Sequence, residues 1–176
     1  FHAMPPSRDF YLMIKPPPSE LSEITRHKQV LGIEDGYDPA RLHITVDPLG
    51  SEKEWPDPRI DWLNAILTRF LADPFYIEFD RIEENTLRGG GEALRAMRAF
   101  RRSLIRHLAR SGLILPTRRF NPHVTLAYGQ DSDHRVTIDP IGWTVDEIIL
   151  IRSGDGRHVP FGRWSLIQRQ PNLPLF

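Results

Sequence analysis

Two short stretches constrain this chain more than any others: ARLHITVDPLG at residues 40–50 and RRFNPHVTLAYG at residues 118–129. Each carries a His-x-Thr triplet, His43 with Thr45 and then His123 with Thr125. Side chains on a strand alternate between its two faces. The first stretch therefore sets His43, Thr45 and Asp47 on one face and Leu42, Ile44 and Val46 on the other. In the second, His123 and Thr125 share a face while Val124 and Leu126 point the opposite way. Seven histidines and eight threonines placed at random in 176 residues would give roughly 0.3 such triplets, so two in matching contexts call for a physical explanation.

The rest of the chain supplies elements to frame these strands. DFYLMIK, residues 9–15, reads as a strand halted by three prolines that cannot continue a ladder. A helix follows, with Ser19 as its expected N-cap and Glu20 and Glu23 in the first turn. In DPRIDWLNAILTRFL, Asp57 is a cap candidate and Pro58 suits the first helical position. Ile60, Leu63, Ile66, Leu67 and Phe70 recur there at helical spacing. FYIEFDRI alternates as a strand, and ENTLRGGG is a short strand running into a glycine turn. EALRAMRAFRRSLIRHLARSG is the strongest helix: Leu94, Met97, Leu104, Ile105 and Leu108 form its apolar stripe and Gly112 is placed to end it. RVTIDPI, TVDEIILIRSG and HVPFGRWSLI are three further strands. The order β-α-β-α-β-β-α followed by β predicts an α+β fold of mostly antiparallel sheets, in two similar halves that each contribute one histidine strand. A chain of 176 residues with 40% apolar content fits one domain, taken as residues 4–170. Residues 1–3 are expected to be a vector remnant before Met4, and QPNLPLF a tail.

Composition removes several chemistries. Without cysteine there is no disulfide scaffold, thiol nucleophile or zinc–thiolate site, which leaves His, Asp and Glu as the only metal ligands. His27, His107, His134 and His158 form no H-x-H or H-x-x-x-H spacing, so no metal site is expected. His158 lies on a strand near Arg157 and could reach a site, though the expectation is a surface role. No long apolar run or signal segment points to a membrane or to export, and a cytoplasmic location is expected. Residues 1–90 carry 10 basic against 16 acidic side chains and residues 91–176 carry 13 against 7. The basic half could meet phosphate but is too modest for a long nucleic-acid footprint. Arg95, Arg98, Arg102 and Arg106 read as a solvated helix face. Arg118 and Arg119 flank the second motif and are candidates for RNA contact, since a guanidinium pairs well with phosphate. Asp47 either orients a histidine or ends its strand at Pro48, the second being the expectation. Phe10, Tyr11, Tyr76, Phe120 and Tyr128 are rings able to stack on a base, though most aromatics beside strands are core. RGGG at residues 88–91 lacks the lysine and hydroxyl of a P-loop and reads as a turn.

With HITVDPLG and FNPHVTLAYG as paired motifs, the chain resembles the 2H phosphoesterase superfamily, in particular its 2′-5′ RNA ligase-like branch of RNA 2′,3′-cyclic phosphodiesterases. FYLMIKPPP stands where the family's first strand stands, the long helix precedes the second motif, and WTVDEIILIRSG is similar to the strand that follows it. The resemblance implies two lobes with helices outside and a central cleft carrying one motif on each wall. It implies metal-independent hydrolysis of a 2′,3′-cyclic phosphate, on an RNA end or a nucleotide, to a 2′-phosphate, by a monomer without a cofactor. His43 would be the general acid, His123 the general base, and Thr45 and Thr125 the phosphate-binding hydroxyls; the sequence does not fix which histidine does which. Such a reaction needs one group to take a proton from water and another to protonate the departing ribose oxygen. Histidine, with an ordinary pKa near 6.5, can do either. A 2′-5′ phosphodiesterase, an RNA end-joining enzyme and a nucleotide-binding module without turnover remain alternatives. Pro48 stands where this branch commonly has an aromatic residue, and Tyr128, a candidate for substrate contact, where an arginine is frequent. Both departures bear on base recognition.

Overall fold

Prolines mark where the elements stop and start. The computed structural model describes residues 8–33, 36–129 and 132–167, so residues 1–3 and the stretch 170–176 lie outside the described residues. Strand β1 (Asp9–Ile14) ends just before the three prolines, and helix α1 (Pro18–Val30) opens on the last of them, where a missing N–H leaves no helical bond unmade. Its N-cap position is Pro17, not Ser19, whose hydroxyl instead reaches the Glu20 carboxylate. Helix α2 (Asp57–Thr68) repeats the device, with Pro56 at the cap. Helix α3 (Arg95–Arg110) ends at Gly112, whose φ of 98° turns the chain so that Gly112 N–H donates to the Ala109 carbonyl and Leu113 N–H to the Leu108 carbonyl, each at 3.0 Å. Leu113 is thereby delivered to the core. Among the described residues no helix is long and apolar enough to cross a membrane.

The fold is α+β, as the element order predicts. The other strands are β2 (Ile44–Ser51), β3 (Phe75–Glu83), β4 (Thr86–Arg88), β5 (Val124–Thr125), β6 (Arg135–Val145), β7 (Glu147–Gly154) and β8 (Arg157–Ser165). They form one antiparallel sheet of eight strands in the order β6-β3-β4-β5-β2-β1-β7-β8. The two halves expected from the sequence are thus two runs of four strands, joined where β5 pairs with β2. β6 continues through Pro140, and the stretch TVDEIILIRSG, read from the sequence as one strand, is divided at Asp146 between β6 and β7. β6 is an edge strand, which tolerates a residue without an N–H, and the ladder is irregular at Pro140, opposite Phe79 and Arg81.

All three helices cover one face of the sheet. Leu12, Ile44, Ile77, Phe79 and Val124 of the strands pack with Ile24, Leu63, Leu104 and Leu108 of the helices in a single apolar cluster. Fully burying each such side chain is worth about 1.5–3 kcal/mol relative to leaving it in water. The opposite face carries a much smaller cluster, Met13, Ile149 and Ile151 beside Tyr11.

One residue breaks the alternation read from the sequence. Along β1 and β2, Met13 faces Thr45 and Leu12 faces Asp47, so one extra residue, Val46, is inserted on β2. The bulge turns Asp47 away from His43 and Thr45 to the side of Leu12. There it is 1% exposed and neither orients a histidine nor ends the strand, which runs on to Ser51. Arg101 of α3 grips its carboxylate with two bonds of 2.9 and 3.1 Å, and Arg118 adds one of 3.3 Å. Removing one partner of a buried pair leaves an uncompensated charge, so Asp47→Ala is expected to cost about 3–5 kcal/mol. The urea midpoint should fall with an unchanged slope; a midpoint within error of the parent would show the bond is not what fixes α3 to β2.

Candidate functional site

Pairing of Ile44 with Val124 brings the two motifs side by side. In antiparallel register, that pair sets His43 opposite Thr125 and Thr45 opposite His123. Ile44 and Val124 enter the helix-covered core, both fully buried, so the four polar residues occupy the other face, all partly accessible. Thr45 is flanked by Met13 and Thr125 by Thr86 in the neighbouring strands. The result is a square of alternating histidine and threonine, with the histidines on a diagonal. Diagonal neighbours across a strand pair stand about 7–8 Å apart, which suits two groups acting on opposite sides of one phosphorus.

The motifs also share a local bond. His43 Nδ1 lies 2.7 Å from the Arg41 carbonyl, and His123 Nδ1 lies 2.7 Å from the Asn121 carbonyl. A carbonyl only accepts, so each Nδ1 carries its ring's proton and each Nε2 is left to meet a ligand. His43 Nε2 is 3.1 Å from Thr45 Oγ1.

Charge around the first histidine is lopsided. Burial lowers the pKa of His43 to about 4; the bond to Arg41 opposes this, while the charges of Lys15, Arg41 and His123 add to it. In the ligand-free protein at neutral pH, His43 is therefore the neutral imidazole.

Several residues fall differently from their sequence reading. His158, expected at the surface, packs its ring against that of His43 with centroids 5.1 Å apart. Burial first, and then the charge of Lys15, bring His158 down to about 3. Its spacing from the motifs carried no signal, because the contact is made by β8 folding back beside β1 through β7. Lys15, which the sequence showed only as a strand end, stands 2.5 Å from His158 Nδ1. Arg118 is not free for RNA: besides Asp47 it holds the Val46 carbonyl at 2.9 Å. Arg119 is exposed, as an RNA contact requires. Tyr128 is 53% exposed, and its ring lies 5.3 Å from that of Tyr37, which in turn has the Arg41 guanidinium 4.6 Å above it. The sequence does not single out Tyr37 or Arg41: Tyr37 lies in a loop before the first motif, and Arg41 reads only as the residue leading into it. Phe10 is core, at 2% exposure. On α3, Arg95 pairs with Glu92 in solvent, as read, whereas Arg101 is the arginine that matters structurally. Among the described residues no group of three His, Asp or Glu could hold a metal ion.

Comparison with known proteins follows this geometry. The family model of the 2′-5′ RNA ligase superfamily matches residues 16–157, a span that contains both motifs. No curated protein matches the sequence significantly. Among solved structures, E. coli LigT in its apo form is 24% identical, over 94% of this chain and 100% of that one, with a TM-score of 0.68. A structure described as a phosphoesterase is 22% identical, over 92% and 99%, with a TM-score of 0.70. E. coli LigT complexed with 3′-AMP is 23% identical, over 93% and 99%, with a TM-score of 0.65. These likenesses establish a shared fold.

The electrostatics carry a stability test. His43 and His158 have folded pKa values of about 4 and about 3 against an ordinary 6.5, so from pH 6.5 downward the unfolded chain binds protons that the folded chain refuses. Stability should fall as pH drops through that window. His158→Gln, which removes one of these groups, should show a shallower loss of Tm between pH 7 and 4.5; an identical slope would mean the ring is not held neutral.

Proposed function

The chain belongs to the 2′-5′ RNA ligase superfamily, and from that premise we propose that it hydrolyses 2′,3′-cyclic phosphates on RNA ends or nucleotides to 2′-phosphates. The observation that supports this most is the square of His43, Thr125, His123 and Thr45, set by the Ile44–Val124 register. It offers two titratable Nε2 atoms on a diagonal and two hydroxyls between them, which is the set that in-line displacement at a cyclic phosphodiester requires.

In this reading the reacting phosphate lies over the square. One Nε2 accepts a proton from water as the water oxygen attacks phosphorus. The other Nε2–H gives its proton to O3′ as the P–O3′ bond breaks, leaving the phosphate on O2′. Thr45 and Thr125 donate to the non-bridging oxygens, whose charge grows in the transition state. The neutral state of His43 in the free protein supports His43 as base and His123 as acid, the reverse of the roles implied by the resemblance. The bonds from Nδ1 to the Arg41 and Asn121 carbonyls keep both rings oriented for the transfer and stabilise each imidazolium as it forms. The partner is an RNA cyclic-phosphate end or a cyclic nucleotide, met by Arg119 and by the Tyr37–Tyr128 pair beside the square.

Either His43→Ala or His123→Ala should lower kcat by about 10²-fold or more on adenosine 2′,3′-cyclic phosphate or a cyclic-phosphate-ended oligonucleotide, with EDTA present throughout. Wild-type rates in either variant would end the two-histidine mechanism, and loss of wild-type activity in EDTA would end the metal-independent one. The pH–rate profile should be a bell belonging to the coupled pair. The base must be deprotonated, so His43→Ala should abolish the acidic limb, and the acid must be protonated, so His123→Ala should abolish the alkaline limb. The opposite assignment of limbs would exchange the roles.

Thr45→Val and Thr125→Val keep the branched shape that suits a strand while deleting the donor. Each should cost roughly 2–4 kcal/mol of transition-state stabilisation and lower the bell without shifting its limbs. Undiminished kcat/KM in both would show that the threonines serve the strand alone.

A further inference from the structure

Beside His43, the square has a cationic neighbour. Lys15 Nζ reaches His158 Nδ1 at 2.5 Å and the Ala40 carbonyl at 2.9 Å, while the His158 ring stands edge-on to His43 at 74°. An ammonium has only protons to give, so His158 Nδ1 accepts, the ring is neutral, and its remaining N–H is on Nε2. Two of the three Lys15 donors are used in these contacts. Lys15 and His158 both line a cavity of about 440 Å³, together with Arg163 and an apolar wall of Ile149, Ile151 and Pro160. Cavities of roughly 300–1,000 Å³ with an apolar lining and a few convergent polar groups are the usual seats of small ligands.

The lining also holds two carboxylates, Asp146 and Glu147; Glu147 pairs with Arg163, and neither forms an ion pair with Lys15 among the described residues. Lys15 is lowered to about 8, by burial first and then by the charge of Arg41, with Asp38 opposing and Arg163 adding to it. His43 and Arg41 face the same cluster and lower His158 as well. The buried Nε of Arg41 has no hydrogen-bond partner among the described residues. Among the ion pairs of the described residues, none neutralises Lys15. Lys15 and His158 thus stand on the His43 side of the square, in the wall of a nucleotide-sized cavity, with donors still to offer.

We propose that Lys15 and His158 form a second phosphate subsite, which holds the phosphate on the 5′ side of the nucleotide whose cyclic phosphate is being opened. The subsite rests on the cyclic phosphodiesterase reading and narrows its substrate: the ribose and base lie along Ile149, Ile151 and Pro160, and the 5′-phosphate accepts from Lys15 Nζ and His158 Nε2. Polynucleotide ends and 5′-phosphorylated nucleotides carry that second phosphate, and nucleoside cyclic phosphates do not.

The test compares adenosine 2′,3′-cyclic phosphate with the same compound bearing a 5′-phosphate. The wild type should favour the second by about tenfold or more in kcat/KM, as expected for charge-assisted hydrogen bonds. Lys15→Met and His158→Gln should each bring the ratio close to one, and Lys15→Arg should keep most of it. No preference in the wild type, or an unchanged ratio in folded variants, overturns the subsite. So does an equal fall on both substrates, which would assign the pair to holding His43. If the wild type turns over neither compound, the cyclic phosphodiesterase reading fails, and the subsite is judged by calorimetry alone. Adenosine 3′,5′-bisphosphate should then bind about tenfold more tightly than 3′-AMP, a gain lost in Lys15→Met and in His158→Gln. Equal affinities in the wild type overturn it.

Discussion

A single residue pair, Ile44 with Val124, joins the two halves of the sheet, and the geometry of the site follows from it. β5 is only two residues long, so its ladder to β2 has little strength of its own. The bond from Leu126 N–H to the Asn85 carbonyl and the pairing of Thr86 and Leu87 with β5 hold its other edge. What fixes the register is burial. Slipping the pairing by one position would turn Val124 out to water and drive His123 and Thr125 into the helix-covered core, which a desolvated imidazole and hydroxyl would resist. The apolar residues between the histidines and threonines thus determine where the four polar ones stand.

A second constraint is polar. The Asp47 carboxylate ties three segments together: β2 just after the first motif, α3 through Arg101, and through Arg118 the segment that leads into the second motif. Both guanidiniums also lie over the ring of Phe120, at 5.0 and 6.0 Å. A buried ion pair adds little stability over a well-packed apolar substitute, since desolvating the charges offsets most of their attraction. Its directional bonds do exclude other placements of α3 and of the segment before His123. Those two must be right for β5 to find Ile44 at all.

Much of this was legible in the sequence, because period-two alternation survives in any half-buried strand. The order of elements, the helix-covered face, and the four residues of the square follow from local pattern plus two repeated triplets. The misreadings share a physical origin in contacts that no local period encodes. The bulge at Val46 adds one residue to one strand and reverses parity beyond it, so Asp47 was placed on the wrong face and Arg118 was left free for RNA. The contact between His158 and His43 joins β8 to the edge of β2 through a sheet whose strand order interleaves distant parts of the chain. A histidine read alone on a strand had no partner in view, and Lys15 looked like the last residue before a proline stop.

The direction of the pKa shifts links stability to function. Lys15, His43 and His158 are all held toward their neutral forms, because burial and repulsion by neighbouring positive charge both penalise a proton there. A bound phosphate reverses the second of these terms, so that each added proton then meets a negative charge. By linkage, a ligand that makes the side chains bind protons more tightly is itself bound more tightly where those protons are available. The lowered pKa values of His43 and His158 cost the folded protein stability below pH 6.5. His43 is thereby held unprotonated, the state that the base of the proposed reaction requires, and the cation formed by a proton transfer to it would be stabilised by the charge of a phosphate.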